Sequence, residues 1–412
     1  MGKPKVISLF TGAGGMDYGF EAAGFETAVS LEIDHDCCET LRASPRRTAV
    51  IERSIFEVPT EELLEAGRLI RGEADLLIGG PPCQPFSKSG YWARGDARRL
   101  DDPRADTLAA YMQAVEKALP RVFVLENVTG LAFSGKDEGL LLLLDKIQRI
   151  NAATGSNYRP YYQVLNAAAY GVPQMRERFV LVASREGLPF EFPAPTHVEP
   201  SKQPDLLDAG LPPYRTAWDA IGDIKPDPSE DLTVRGKWGA LLPSIPEGQN
   251  YLFHTDRGGG LPLFGWRRRY WTFLLKLAKN RPSWTIQAQP GPAVGPFHWE
   301  NRRLSIKELA RLQTFPDNVH VQGGRTSAQR QLGNAVPSLL AEVLGRAIRT
   351  QLLGLTSLRG GLKLLPADRR PMPPPEKETP VPKAFHQLIG AHEAHPGTGK
   401  GYGTKSRLQS VA

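Results

Sequence analysis

One cysteine of this chain stands where a nucleophile would be useful. The apolar run 74–78 predicts a buried strand, and the sequence Gly-Gly-Pro-Pro at 79–82 ends that strand immediately before Cys83. Ligands of open α/β sheets bind at the carboxyl ends of strands, so a thiol on this stiff turn is placed to attack a bound substrate. A buried structural cysteine is the alternative, because cysteine is among the residue types most often buried.

A carboxylate and two guanidinium groups fit the same chemistry. The next apolar run, 121–125, predicts a strand that ends at Glu126, which places this carboxylate on the same rim of the sheet as Cys83. Arg176 and Arg178 are two positions apart, so an extended segment would present both side chains on one face. Such a pair can clamp a carboxylate or phosphate. An exposed basic strand edge is an equally good interpretation of the spacing alone.

A glycine-rich turn near the start of the sequence predicts a cofactor site. The predicted strand 5–10 is followed by Gly12, Gly14 and Gly15, where a backbone without side chains can approach a ligand closely at the start of a helix. Glu32 follows about twenty positions later at the tip of the second strand, which suits a hydrogen bond to a ribose. Asp17 occupies the third glycine position of the dinucleotide fingerprint, which disfavours a nicotinamide cofactor. The pattern therefore favours another adenosine-containing cofactor, although a tight turn and a solvated carboxylate would look similar.

Strands and helices alternate throughout the first 185 residues, which predicts a doubly wound, mostly parallel α/β sheet. The composition then changes. Residues 186–300 are rich in Pro, Gly and Trp, and in the run 266–271 Trp and Tyr flank three arginines. Aromatic and basic side chains together suit stacking on bases and binding of phosphates. We therefore expect a second, smaller and irregular recognition domain.

The composition is that of a globular protein, with 41% hydrophobic and 23% charged residues in a chain of 412. The formal net charge is +7, and residues 355–412 hold nine Lys/Arg against four Asp/Glu, a net of +5. No apolar run is long enough for a membrane span, no secretory signal is visible, and three cysteines give no disulfide framework. These features favour a cytoplasmic location.

The motifs occur in an order that resembles the DNA (cytosine-5)-methyltransferases of bacterial restriction–modification systems. They cover residues 5–350, and they are Phe10-Thr-Gly-Ala-Gly-Gly, Glu32, Gly80-Pro-Pro-Cys-Gln-Pro-Phe-Ser, Glu126-Asn-Val, Gln174-Met-Arg-Glu-Arg, Arg303-Leu-Ser with Leu312-Gln-Thr-Phe-Pro, and Gln331-Leu-Gly-Asn-Ala-Val-Pro. The irregular segment falls where this family keeps its target-recognition domain. One departure is visible, since Ser54-Ile55 stands where the family usually has an acidic contact to the cofactor adenine.

The resemblance implies a Rossmann-like methyltransferase fold and a domain division. The catalytic domain would comprise residues 1–185 plus 325–353, and the recognition domain with its hinge would comprise 186–324. Residues 354–412 would form a flexible, basic, Pro- and Gly-rich tail.

The resemblance also implies the reaction. Cys83 would add to C6 of a cytosine flipped out of duplex DNA, and C5 would then accept the methyl group of S-adenosylmethionine. Glu126 would donate to N3, Arg176 would hold O2, and Arg178 would help to position the thiol and the base loop. The product would be S-adenosylhomocysteine, and no metal is expected.

Ligand contacts follow from the same resemblance. The cofactor would lie against ten residues: Phe10, Gly12, Gly14, Gly15, Glu32, Ile33, Pro82, Leu108, Asn334 and Val336. Candidate DNA contacts are Ser87, Arg267, Arg268, Arg269, Trp284 and Gln287. Double-stranded DNA is the expected partner of this enzyme. The enzyme itself is expected to be a monomer. A cognate restriction endonuclease could share its site without forming a stable complex.

Other functions fit less well. Methylation of an amino group on adenine or cytosine needs no nucleophilic thiol, and such enzymes typically have an acidic residue or Asn before Pro-Pro, where this chain has Gly80. A transfer-RNA cytosine would be an alternative substrate, which the long recognition segment disfavours. A non-catalytic DNA-binding regulator would have no need to keep Cys83, Glu126 and Arg176 together.

Overall fold

A computed structural model describes residues 2–45, 48–82, 105–132, 138–200, 210–266 and 270–390. The strands are β1 Lys5–Leu9, β2 Glu26–Glu32, β3 Ala49–Glu52, β4 Leu76–Gly79, β5 Val122–Asn127, β6 Arg159–Asn166, β7 Gln174–Met175, β8 Glu177–Ser184 and β9 Ser283–Trp284. The α-helices are α1 Gly15–Ala22, α2 His35–Ala43, α3 Thr60–Ala66, α4 Ala105–Ala118, α5 Glu138–Thr154, α6 Ala217–Ile221, α7 Ile306–Leu312, α8 Arg325–Asn334 and α9 Ser338–Gln351. Short 3-10 helices include Gly239–Ser244, Tyr251–His254 and Lys383–Leu388.

The main sheet has seven strands in the order β3-β2-β1-β4-β5-β8-β6. The first five run parallel, and β8 is antiparallel to both β5 and β6. Every residue of β4 and β5 is buried, as expected for central strands covered by helices on both faces. The predicted doubly wound, mostly parallel fold is confirmed, and the carboxyl ends of β1, β2, β4 and β5 meet at one rim.

Helix α9 returns from the far end of the sequence to cover one face of this sheet. It packs on α1, where a side chain at Gly19 would overlap the Ser338 carbonyl. Leu339, Leu340 and Ile348 are fully buried there. This packing brings the turn before α9 to the glycine-rich loop, which no local pattern in the sequence would require.

Residues beyond β8 contain little regular structure but have their own buried clusters. One cluster combines Leu277, Trp299 and Leu312 with Ala13 and Tyr18 of the glycine-rich region, so it joins the recognition region to the sheet. Strand β9 pairs with β7 in a separate two-stranded sheet. These contacts join residues on both sides of the predicted domain boundaries. The boundaries themselves stay a prediction.

The flexible tail expected for residues 354–412 does not describe residues 355–390. Leu364 and Leu365 pack against the core beneath α9, and Phe385 is only 8% exposed. Buried carboxylates accept hydrogen bonds from several backbone N–H groups of this segment. Residues 391–412 lie outside the described residues. Within the described part of the chain, no helix has both the length and the apolar character that crossing a membrane needs.

Candidate active site

A cavity of about 510 Å³ opens at the rim where β1, β2, β4 and β5 end. The end of α8 and the following turn close it from the other side. Nine of the predicted site residues line it: Phe10, Gly12, Gly15, Glu32, Ile33, Pro82, Glu126, Asn334 and Val336. Arg176 and Arg178 line it as well. Gly14 and Leu108 do not, since Gly14 caps α1 and Leu108 is buried in the core at 1% exposure.

Glu32 organises the glycine-rich end of this cavity. Its carboxylate accepts hydrogen bonds from the N–H groups of Gly12 at 2.7 Å, and of Ile33 and Asp34 at 2.8 Å each. Gly12 has a φ of +55°, a conformation that glycine adopts without steric cost. The carboxylate is therefore fixed on the loop that lines the cavity, with lone pairs left for a ligand.

Close packing holds the opposite wall. A side chain at Gly15 would overlap the Val336 carbonyl and would lie 3.2 Å from the Ala335 Cβ. Only a glycine lets α1 and the turn before α9 approach this closely. Packing thus brings together Gly15 and Val336, which are 321 positions apart in the sequence.

Glu126 stands at the catalytic end of the cavity. The Nε of Arg178 lies 2.6 Å from its Oε1, and both side chains are about seven-eighths buried. Burial raises the pKa of Glu126, and the charges of Arg178 and Arg176 and the Arg178 hydrogen bond oppose that rise without cancelling it. A carboxyl group that keeps its proton to higher pH is suited to donate to a ring nitrogen.

Side chains of β5 hold the turn 79–82, which precedes the predicted nucleophile in the sequence. Asn127 donates a hydrogen bond from Nδ2 to the Pro81 carbonyl at 3.2 Å, and Gly80 lies against the Glu126 carboxylate. Pro82 is the last described residue of that turn. Cys83 and Ser87 lie outside the described residues, one and five positions further on.

The two arginines both line the cavity, but their guanidinium groups have different partners. The chain changes sheets at Arg176, because β7 pairs with β9 while β8 pairs with β5. The Arg176 guanidinium donates to the carbonyls of Ile286 at 3.3 Å and Gly333 at 2.7 Å. Arg178 instead pairs with Glu126.

A buried pair of glutamines, to which no role was assigned from the motifs, supports this junction. Gln174 and Gln313 are fully buried, and their side chains are joined by a 3.0 Å hydrogen bond. Gln174 accepts from the Ile286 N–H, and Gln313 donates to the Leu332 carbonyl. Both belong to recognised motifs, but their pairing across 139 positions could not be foreseen.

The predicted DNA contacts are only partly described. Trp284 lies in β9 and its ring meets that of Trp271 edge-on at 5.3 Å, with Trp271 39% exposed. Gln287 lies beside α8, where its carbonyl accepts a hydrogen bond from Gln329. Arg267, Arg268 and Arg269 lie outside the described residues.

The remaining cysteines are poorly suited to nucleophilic chemistry. Cys37 and Cys38 are buried at the start of α2. Burial raises the pKa of both thiols, that of Cys38 to about 12. A thiol with a raised pKa supplies little thiolate near neutral pH, so neither competes with Cys83 for the predicted role.

The fold and this rim define a Rossmann-like methyltransferase. The chain belongs to the C-5 cytosine-specific DNA methylase family, whose sequence model matches residues 4–350. The resemblance is thereby confirmed, and with it the enzyme class, DNA (cytosine-5-)-methyltransferase. Residues 355–390 lie beyond the matched range.

Individual relatives agree with this assignment. The chain is 41% identical over 377 residues to the type II methyltransferase M.SacI of Streptomyces achromogenes, which covers 86% of this chain and 95% of the relative. It is 34% identical over 341 residues to M.NgoFVII of Neisseria gonorrhoeae, covering 81% and 83%.

Solved structures share the fold at lower identity. A DNA modification methyltransferase encoded within an E. coli prophage has a TM-score of 0.58 and 19% identity, covering 85% of this chain and all of that one. A mutant of Spodoptera frugiperda DNMT2 has a TM-score of 0.56 and 17% identity, covering 83% and 98%.

Proposed function

We propose that this enzyme methylates C5 of a cytosine flipped out of a specific double-stranded DNA sequence, through a covalent bond between Cys83 and C6. The observation that carries the proposal is the pairing of Glu126, with its raised pKa, and Arg178 on the rim beside the turn that leads to Cys83. Stacked cytosine hides C6, so flipping is required, at a cost of a few kcal/mol.

The cavity suits S-adenosylmethionine. Glu32 offers a fixed carboxylate for the ribose hydroxyls, Ile33 is 68% exposed and available to an adenine face, and Gly12 and Gly15 leave room for the methionine portion. When bound, this cofactor supplies an electrophilic methyl group on a sulfonium. Asn334 and Val336 would form the opposite wall.

The residues of the chain divide the remaining work. The Cys83 thiolate forms the bond to C6, the C5–C6 double bond opens, and the electron pair moves toward N3 and O2. Glu126 gives a proton to N3, so that C5 becomes nucleophilic. After C5 is methylated, N3 returns its proton to Glu126, and loss of the C5 proton expels the Cys83 thiolate and restores the C5–C6 double bond.

We assign the O2 contact to Arg178 rather than to Arg176. Arg178 already meets the Glu126 carboxylate, and a cytosine whose N3 faced Glu126 would bring O2 to the neighbouring donor. The two terminal nitrogens of Arg176 donate to backbone carbonyls of Ile286 and Gly333, which favours a positioning role for this residue. This reverses the roles expected from the sequence.

The relatives support a proposal for the biological setting. Because they are type II methyltransferases of bacteria, we propose a protective methylase of a restriction–modification system that acts in the cytoplasm as a monomer. Residues 1–185 plus 325–353 would catalyse, and 186–324 would recognise the DNA. A cognate endonuclease would share the site without forming a stable complex.

A covalent trap tests the proposal. The protein and S-adenosylmethionine are mixed with duplex DNA that carries 5-fluorocytosine at every cytosine, and the products are run on a denaturing gel. The fluorine cannot leave as the C5 proton does, so the enzyme should stay attached. The adduct should vanish in Cys83→Ala and persist in the matched variant Cys38→Ala. Adduct formation only with RNA, or none at all, would refute a duplex DNA substrate.

A further inference from the structure

Residues 363–388, here called the strap, lie outside the range matched by the family but run across both parts of the enzyme. The strap begins on the catalytic side. The N–H groups of Lys363 and Leu364 donate to the two carboxylate oxygens of Glu342, at 2.8 and 3.0 Å. Glu342 belongs to α9 and is fully buried, with Arg346 as its cation. A buried carboxylate needs such partners, so this attachment is part of the core.

The strap next crosses α6 in the recognition region. The N–H of Arg369 donates to the Asp219 Oδ1 at 2.9 Å, and its Nε donates to the Asp219 carbonyl at 2.8 Å. Its guanidinium also pairs with Asp223 at 3.0 Å. One residue thus makes three contacts to α6 and the turn after it, one from its backbone N–H and two from its side chain.

A third attachment lies further along the recognition region. Glu247 and Lys279 form a buried ion pair, 5% and 3% exposed. The strap adds the Glu376 N–H, which donates to Glu247 at 2.8 Å, and the Glu376 carboxylate, 3.0 Å from the Lys279 Nζ. The strap therefore supplies a hydrogen-bond donor and a carboxylate to a second set of buried charges, Glu247 and Lys279.

The strap ends inside an aromatic cluster. Phe385 stacks on Trp238 with ring centres 5.9 Å apart and an angle of 19°. Trp238 also contacts Phe264 and Phe273, at 5.3 and 5.7 Å. These two phenylalanines flank the basic and aromatic run 266–271, in which Trp266, Tyr270 and Trp271 are 42%, 45% and 39% exposed.

We propose that the strap fixes the aromatic cluster relative to the catalytic sheet, so that recognition of DNA depends on it. The effect on DNA rests on the proposed function, whereas the mechanical role does not. Buried charges at two attachments and a buried ring at the end make the strap part of the fold on both sides. It acts on the substrate through the exposed aromatic side chains of Trp266, Tyr270 and Trp271, and we assign it no contact with the reacting atoms.

The test uses the full chain with two matched pairs of variants. Phe385→Ala removes the buried ring, and its control Ile389→Ala removes a 45% exposed apolar side chain immediately after the strap. Arg369→Ala removes the side-chain contacts to Asp219 and Asp223. Its control is Arg370→Ala, whose side chain is 75% exposed and pairs only with Asp368 among the described residues. Hydrogen exchange is followed at residues 239–254, together with the KM for unmethylated plasmid DNA and the Kd of S-adenosylhomocysteine.

In Phe385→Ala and Arg369→Ala, exchange at residues 239–254 should become at least about tenfold faster while the β4 and β5 amides keep their protection. The KM for DNA should rise about fivefold or more, and the Kd of S-adenosylhomocysteine should stay within about twofold. The controls should match the wild type. A purely structural role would instead lower the active fraction and leave the KM for DNA unchanged.

Unchanged exchange in both test variants would overturn the proposal, whatever the substrate is. Faster exchange with an unchanged KM for DNA would overturn the link to recognition. If the wild type transfers no methyl group to any duplex, the proposed function fails, and the exchange comparison still decides the mechanical role. Should Phe385→Ala not fold, Arg369→Ala decides alone.

Discussion

Replacement of Arg178 by methionine tests the reaction geometry most directly. The substitution keeps the length of the side chain but removes the charge that lies 2.6 Å from Glu126 in a largely buried setting. A preorganised donor aimed at developing negative charge lowers the activation barrier by about 3–4 kcal/mol. Without Arg178 the rate of methyl transfer should therefore fall by about 10²–10³-fold.

The same variant should change the pH dependence in a defined direction. Glu126 must be protonated to act as the acid, so the rate falls as pH rises through its pKa, which burial already raises. Arg178 opposes that rise by stabilising the carboxylate. Without Arg178 the pKa should rise further, and the descending limb should move to higher pH. Arg178→Lys keeps a positive charge and should move the limb less.

Single-turnover transfer of a tritiated methyl group, measured across pH at saturating DNA, checks both effects. The comparison is Arg176→Met, which leaves the carbonyls of Ile286 and Gly333 without their charged donor. Loss of each such bond costs about 1.5–3 kcal/mol of folding stability, so this variant should lose stability more than single-turnover rate. A larger rate loss in Arg176→Met than in Arg178→Met, at equal folded fraction, would refute our assignment of the O2 contact.

Three further changes have expected outcomes. Glu126→Gln should lower the rate of methyl transfer by about 10²–10⁴-fold and abolish the descending limb of the pH–rate profile; a limb that persists would point to another acid. Gly15→Ala should weaken S-adenosylhomocysteine binding about tenfold or more by calorimetry, because the new Cβ overlaps Val336 and must displace the turn; Gly361→Ala, with open space around it, should bind like the wild type. Gln313→Leu should lower the free energy of unfolding in urea by about 1–3 kcal/mol, since it removes the donor of a buried carbonyl; an unchanged midpoint would contradict this.

Much of the site could be predicted because its residues follow strands directly. Glu32 and Glu126 end β2 and β5, and parallel strands joined by helices bring those ends to one rim. The glycine-rich loop adjoins the same rim for the same reason. Strand–helix alternation in the sequence therefore determined both the fold class and the position of these groups, before any contact was known.

Tertiary structure decided what local patterns could not. The two-residue spacing of Arg176 and Arg178 cannot show which partners their guanidinium groups meet. Those partners depend on the pairing of β7 with the distant β9 and on the packing of α8. Composition likewise predicts a flexible tail, because Pro and Gly favour one. The buried acids Glu342 and Glu247 that bind residues 363–376 belong to remote elements. Long-range pairing and burial of charge depend on the whole packed chain, and so only the folded structure shows them.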